Sequence, residues 1–240
     1  IKMPKYDKII WISLDTLRAD CINFNKTKLY PKEYKIKTKI KDSKLDELCS
    51  KGCFFNNAIS VTPYTSASHA AYFTGLWPKN NGIYDQFNSK LKVKNVFQTA
   101  KKNGYSTLFK TDFPFVLGKY LNLIKGVDDY IIEDNEKFLK KLKSKKKVFS
   151  FIHFGQIHYP YGFHNLEFGG NDYIKKVKEL EKKHKIDSNK INLEDMAVET
   201  FRTKKDLELL YTYKKIIAKL YSSGKDNDLF DLYLEGINYF

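Results

Sequence analysis

The chain contains almost no arginine. Arg18 and Arg202 are the only arginines among its 43 basic residues, and all the others are lysines. Proteins that read base edges and phosphates usually exploit the bidentate guanidinium group, which lysine does not supply. We therefore assign the formal net charge of +15 to lysines on solvated faces. Nucleic acid is therefore not an expected partner, and a basic nucleic-acid-binding protein is only the third interpretation of this sequence, after two that follow from motifs described below.

Cysteines and long apolar runs are also scarce. Cys21, Cys49 and Cys53 lack the number and spacing of a disulfide framework or a zinc ribbon, so we expect buried free thiols. No apolar run approaches the roughly 20 residues that cross a bilayer, so we expect no transmembrane segment in this sequence. The first residues do not resemble a signal peptide. We expect either a cytoplasmic protein or a soluble domain of a longer protein.

The composition that remains is typical of a folded α/β protein. The 240 residues are 42% hydrophobic and 15% aromatic, which suits one domain over residues 1–240. Strand-like and helix-like segments alternate, and this predicts a mostly parallel central sheet with helices on both faces. The predicted strands cover 8–14, 53–60, 105–110 and 147–154, and the predicted helices cover 43–51, 66–73, 93–103, 133–143, 172–185 and 203–222.

The segment 61–75, VTPYTSASHAAYFTG, predicts a strand end, a turn rich in hydroxyl side chains, and a short helix that ends at Gly75. A hydroxyl at the start of a helix lies near free backbone N–H groups, where anionic oxygens are favoured. Asp15 ends the buried strand 8–14 and is a candidate metal ligand. Together these features suggest a metal-activated hydroxyl that attacks a tetrahedral anion ester. The alternative is ordinary helix capping by Ser, Thr and Asp.

Two sequence segments together carry a family resemblance. KIIWISLDTLRAD at 8–20, followed by LDELCSKGCFFNNA at 45–58 and the segment 61–82, resembles the sulfatase-like branch of the alkaline phosphatase superfamily. That family has a strand ending in a metal-binding Asp, an LDxLxxxGxxFxNA segment, and a nucleophile helix followed by TG, Pro and NG. The matching positions here are Asp15, 45–58, 65–75, Pro78 and Asn81-Gly82.

The resemblance implies that Thr65 is both the nucleophile and a metal ligand beside Asp15. True sulfatases carry a Cys or Ser at this position, converted to formylglycine, and a Thr does not undergo that conversion. Relatives that use Thr transfer or hydrolyse phosphate esters, so we expect phosphate esters as substrates and sulfate esters less readily. Ser66 and Ser68 are alternatives, but the spacing to Thr74-Gly75 selects Thr65.

Six further side chains are candidates for substrate contact or proton transfer, two of them minor. The resemblance implies catalytic roles for His69, four residues after Thr65, and for His158 in the segment FIHFGQIHYPYGFH, with substrate binding by His153. Arg18 either pairs with Asp20 or contacts the substrate anion, because a lone Arg in a lysine-rich chain indicates a need for the planar guanidinium. Lys110 and Asp112, which end the strand 105–110 near the same edge, are minor candidates.

One element of the family pattern is missing. The family completes its metal site with a later strand ending in Asp-His-Gly or Asp-Asn, and no Asp-His or His-Gly pair occurs here. Residues 211–240 resemble the helix and linker that precede that strand. The expected cofactor is a divalent metal ion, Zn, Mn or Ca, and the expected substrate is a small-molecule or lipid- or glycan-linked anionic ester. The rival function is a catalytically inactive sulfatase-like binding or scaffold domain.

Overall fold

Four parallel strands form one sheet. The computed structural model describes residues 6–30, 32–87, 89–159, 161, 170–187 and 204–239. The strands are β1 (Lys8–Leu14), β2 (Ser106–Thr111), β3 (Asp129–Ile132) and β4 (Val148–Phe154), in the spatial order β1-β4-β2-β3. Every pairing between them is parallel. The predicted α/β class with a parallel sheet is confirmed.

The chain forms two compact units. The first, here called the sheet unit, comprises Ile1–Leu14 and Ile59–Gly155, and the second, the helical unit, comprises Asp15–Ala58 and Gln156–Phe240. The expectation of one domain over residues 1–240 stays a prediction. The helices of the sheet unit are α2 (Thr65–Thr74), α3 (Pro78–Asn81), α4 (Val96–Lys102) and α5 (Asn135–Ser144). Those of the helical unit are α1 (Lys44–Lys51), α6 (Gly170–Lys183), α7 (Lys204–Ser222) and α8 (Asp226–Tyr239), with a 3-10 turn at Ala19–Cys21.

Helices cover both faces of the sheet, as predicted. Successive strand side chains point to opposite faces, so Phe149 and Phe151 pack on one side and Val148 and Ile152 on the other. Phe73 of α2 and Phe97 of α4 bury the first face, and Phe138 and Leu142 of α5 bury the second. The helices α2 and α4 therefore contribute apolar side chains to one core, and α5 contributes them to a second, separate core.

The helical unit is built differently, because side chains of α8 hold the segment at 35–41, which has no regular secondary structure. Asp231 accepts hydrogen bonds from the backbone N–H groups of Lys37 (2.9 Å) and Thr38 (2.8 Å). Asn227 accepts from the N–H of Lys35 at 3.0 Å in the same way. A separate apolar core joins α6, α7 and α8 through Leu180, Ile216, Ile217, Leu220, Leu229 and Leu232.

The structure corrects several expectations. Residues 53–60 are not a strand, because Asn56 and Asn57 form a turn that interrupts the apolar run, and Phe55 and Ile59 are 79% and 89% exposed. The short strand β3 was not predicted, and residues expected to be a linker form α8. The prediction of buried thiols holds for Cys21 but is wrong for Cys53, which is exposed. In the described part of the chain no helix has the length and hydropathy of a membrane span.

Candidate functional site

Thr65 is the first residue of α2, one position earlier than the predicted start. The preceding Tyr64 is extended and supplies no side-chain cap to the helix. The first N–H groups of a helix have no partners within it, and the N–H of Ser66 uses the side-chain oxygen of Gln86, 3.4 Å away. The helix ends at Gly75, whose φ of 68° is readily adopted only by glycine. Thr65 therefore lies, half-buried, at the positive end of a ten-residue helix dipole.

The neighbouring hydroxyls are engaged elsewhere. Ser66 is fully buried, and its hydroxyl donates to the backbone oxygen of Gln86 at 2.7 Å. Ser68 is 8% exposed, and its hydroxyl lies 3.0 Å from that of Ser60. Both side chains bond α2 to flanking loops, and this structural role explains why a serine occurs at each position.

His69 lies one helical turn after Thr65 and connects α2 to β1. Its Nδ1 lies 2.7 Å from the backbone oxygen of Thr65, and its Nε2 lies 2.8 Å from Oγ of Ser13. A carbonyl oxygen only accepts, so Nδ1 donates to the Thr65 carbonyl, while Nε2 faces the Ser13 hydroxyl. Ser13 was not predicted, although its position two residues before Asp15 on the strand was a usable signal.

His153 is the second-last residue of β4 and is fully buried. Its ring centroid lies 5.6 Å from that of His69 and 5.1 Å from that of Phe113, and Nδ1 lies 3.5 Å from the hydroxyl of Thr111. A Cβ at Gly155 would lie 2.6 Å from the Phe113 ring, so this packing requires glycine there. The imidazole of His153 has no exposed surface in this structure, and its expected contact with substrate stays a prediction.

Lys110 and Asp112 form a buried ion pair where β2 and β4 end. The Lys110 ammonium also donates to the backbone oxygen of His153 at 3.0 Å, and Asp112 accepts from the N–H of Gly155 at 2.9 Å. Burial lowers the pKa of Lys110 below its ordinary value, while the nearby Asp112 and Glu133 carboxylates oppose that shift. The pair extends the connection between the two strands past their last backbone pairing, so both groups have a structural role next to His153.

The helical unit holds Asp15, Arg18 and His158. The half-buried Asp15 accepts the hydroxyl of Thr16 at 3.1 Å. The Arg18 guanidinium pairs with both carboxylate oxygens of Asp20, at 2.9 Å from Nε and 2.8 Å from Nη2. The ion pair, one of the two alternatives, is thus present, and anion contact by Arg18 stays a prediction. His158 Nδ1 lies 3.0 Å from the backbone oxygen of Tyr159.

The candidates therefore fall into two sets. The sheet unit brings Thr65, His69 and His153 together, and the helical unit carries Asp15, Arg18 and His158. The expectation that Asp15 and Thr65 share an ion joins residues of different units and stays a prediction.

The predicted metal donors are too few for a cation site. Among the residues that the structure describes, no group of three or more His, Cys, Asp and Glu side chains could hold a metal ion. Hard cations take six or more oxygen ligands and zinc takes four ligands, so Asp15 and Thr65 alone are too few to hold either kind of ion.

Comparison with known proteins tests the resemblance directly. A search of curated proteins found no match. Among protein-family models, the one described as Sulfatase matches residues 7–212, which is most of the chain. The match includes the strand before Asp15, the helix that begins at Thr65 and the histidine segment after β4. The chain thus belongs to the sulfatase family, within the sulfatase-like part of the alkaline phosphatase superfamily.

Proposed function

We propose that this protein is a hydrolase or transferase of phosphate esters, and of sulfate esters less readily, that uses Thr65 as its nucleophile. Family membership supports a hydrolase of this superfamily acting on anionic esters. The observation that carries the finer proposal is the location of Thr65 as the first residue of α2. Ser66 and Ser68 offer hydroxyls nearby, but each bonds to a flanking loop.

The residue type supports phosphate over sulfate esters. Formylglycine forms from Cys or Ser, so a Thr at this position cannot provide the aldehyde hydrate of true sulfatases. A threonine hydroxyl can instead attack a phosphoryl centre. The bond from Thr65 Oγ to phosphorus forms as the ester oxygen leaves with a proton, and water or an acceptor alcohol then attacks phosphorus and releases Thr65.

The remaining candidates receive roles that suit their surroundings. His69 steadies the first turn of α2, because its two ring nitrogens face the Thr65 carbonyl and the Ser13 hydroxyl. His153 packs against the His69 ring and supports it. His158 supplies a proton to the leaving group, and the 45% exposed Arg18 side chain contacts the substrate anion. Sulfatase family members generally use a divalent metal ion, and Asp15 and Thr65 would be two of its donors, too few to hold it alone.

Turnover of p-nitrophenyl phosphate, bis(p-nitrophenyl) phosphate and p-nitrophenyl sulfate, each with Zn²⁺, Mn²⁺ or Ca²⁺, tests the proposal. We expect a phosphate ester to react fastest, Thr65→Ala to lose on the order of 10³-fold in kcat, and Thr65→Ser to retain part of it. Thr74→Ala is the matched control, because Thr74 ends the same helix and bonds to Ala70 O at 2.7 Å.

Two outcomes would contradict the proposal. Undiminished turnover by Thr65→Ala would exclude this nucleophile. No turnover of any ester by the unmodified protein would favour the inactive binding or scaffold domain. Nucleic-acid binding that weakens steeply with salt would support the third function instead.

A further inference from the structure

A strained turn follows Asp15 in the helical unit. Thr16 has a φ of 67°, in the left-handed region that β-branched residues rarely adopt. Such a conformation persists only where surrounding contacts hold it, and it occurs often at functional sites. The contacts that hold Thr16 therefore also determine how the backbone presents Asp15.

Tyr233 on α8 supplies those contacts. Its hydroxyl donates to the backbone oxygen of Thr16 at 2.7 Å and accepts from the N–H of Arg18 at 2.9 Å. One phenol group thus bonds to the carbonyl of Thr16, before Leu17, and to the N–H of Arg18, after it. Tyr233 is itself 5% exposed, and burial raises the pKa of its hydroxyl well above the usual range, so the group stays protonated and able to donate.

The same ring contacts the turn that follows His158. The ring centroids of Tyr233 and Tyr161 lie 5.5 Å apart at an angle of 72°. Tyr161 also has a positive φ, 50°, and its N–H donates to the backbone oxygen of His158 at 2.8 Å. Two strained turns, each next to a proposed site residue, therefore both contact one tyrosine.

We propose that Tyr233 is a positioning residue, whose hydroxyl fixes the Asp15–Arg18 turn and whose ring supports the His158–Tyr161 turn. The inference rests on the proposed function, because Asp15, Arg18 and His158 receive their roles there. Tyr233 acts through these turns and has no assigned contact with the substrate.

Tyr233→Phe tests the proposal, because it removes one oxygen and keeps the ring. Amide hydrogen exchange of Arg18, measured by NMR on the full chain, reports the turn without requiring activity. We expect exchange to accelerate, and kcat for p-nitrophenyl phosphate to fall, by roughly ten- to a hundredfold, the range expected for a lost hydrogen bond with a partner left unsatisfied. Tyr105→Phe is the matched control, because it removes a hydroxyl bonded at 2.7 Å to the backbone oxygen of Tyr6. It should change neither quantity.

A second substitution separates positioning from general loss of structure. Glycine adopts a positive φ without strain, so adding Thr16→Gly to Tyr233→Phe should restore part of the lost kcat. Thr16→Ala in the same background removes the same hydroxyl without relieving strain and should restore none.

The outcomes distinguish this inference from the proposed function. Unchanged Arg18 exchange in Tyr233→Phe, or faster exchange with unchanged kcat, would overturn the positioning role. Equal rescue by Thr16→Gly and Thr16→Ala would also overturn it. Absence of ester turnover by the unmodified protein would refute the proposed function, and Arg18 exchange would still decide whether Tyr233 holds the turn.

Discussion

The two units position their polar side chains by different means. In the sheet unit, Ser13 and His153 occupy paired positions in the register of β1 and β4, so backbone hydrogen bonds of the sheet fix their places. In the helical unit, the described residues 15–30 and 32–42 contain only one 3-10 turn as regular structure. There, Tyr233, Asp231 and Asn227 of α8 bond to the backbone in place of a strand partner.

This difference shows which positions are sensitive to single side chains. A sheet distributes the support of one residue over many backbone bonds and a packed apolar core. The Asp15 turn and the irregular segment at 35–41 depend on a few polar groups of α8, so removing one acceptor leaves specific backbone N–H groups without partners. We therefore expect core substitutions to change global stability most in the sheet unit, and polar substitutions on α8 to act locally.

The largest expected effect is that of Phe151→Ala in the sheet unit. Phe151 is fully buried, and its ring packs against Phe73 and Phe109 at centroid distances of 5.0 and 4.8 Å. Truncation of such a side chain lowers the free energy of unfolding by about 3–5 kcal/mol. Urea unfolding should show this loss, and Tyr221→Ala, at a 76% exposed position, should change the midpoint little. A Phe151→Ala cost below 1 kcal/mol, on the order of a surface change, would contradict a tightly packed core.

A smaller effect is expected for Asp231→Ala in the helical unit. The buried carboxylate accepts the N–H groups of both Lys37 and Thr38, and their loss should lower the free energy of unfolding by about 1–3 kcal/mol. Hydrogen exchange should accelerate mainly at 35–41. Asn227→Ala removes a single exposed bond and serves as the graded control. Uniform acceleration throughout the chain would contradict local support by α8.

The smallest effect concerns the pH dependence of the Arg18–Asp20 pair. Burial acts to raise the pKa of Asp20, but the hydrogen bonds from Arg18 and from the Leu29 N–H outweigh it and lower the pKa. A lowered folded-state pKa contributes stability above the unfolded value, about 4, which is lost as the pH falls through the folded value. The stability difference between the unmodified protein and Asp20→Asn should therefore be full at pH 7 and shrink below about pH 4. Urea unfolding from pH 7 to 3 measures it, and a constant difference would contradict the ion pair's contribution.

Sequence patterns predicted the longer strands and helices of both units better than the short elements, for a physical reason. β1, β2, β4 and the helices on them follow local apolar periodicity, and the segment 61–75 located the start of α2. The four residues of β3 are too short for such a pattern, and the run at 53–60 has strand composition but is interrupted by Asn56 and Asn57.

The candidate site was likewise predictable where it follows from the strand and helix pattern, and not where it depends on contacts distant in sequence. Thr65, His69 and His153 come together because strand ends and the first turn of α2 meet at one edge, as the topology predicts. Tyr233 could not be found locally, since its partners Thr16 and Arg18 lie more than two hundred positions earlier, at separations of 217 and 215. The Lys110–Asp112 pair had a visible signal, two charged residues at a buried strand end, but its partner atoms on β4 required the fold.

Identification of the residue that carries the phosphoryl group tests the central claim most directly. The protein is mixed with the phosphate ester that it turns over fastest, quenched in acid during turnover, and digested for peptide mapping by mass spectrometry. We expect phosphothreonine at Thr65, no modified peptide in Thr65→Ala, and an unchanged modified peptide in Thr74→Ala. A phosphoryl group on Ser66 or Ser68, or modification of the same peptide in Thr65→Ala, would contradict the assignment of Thr65 as the nucleophile.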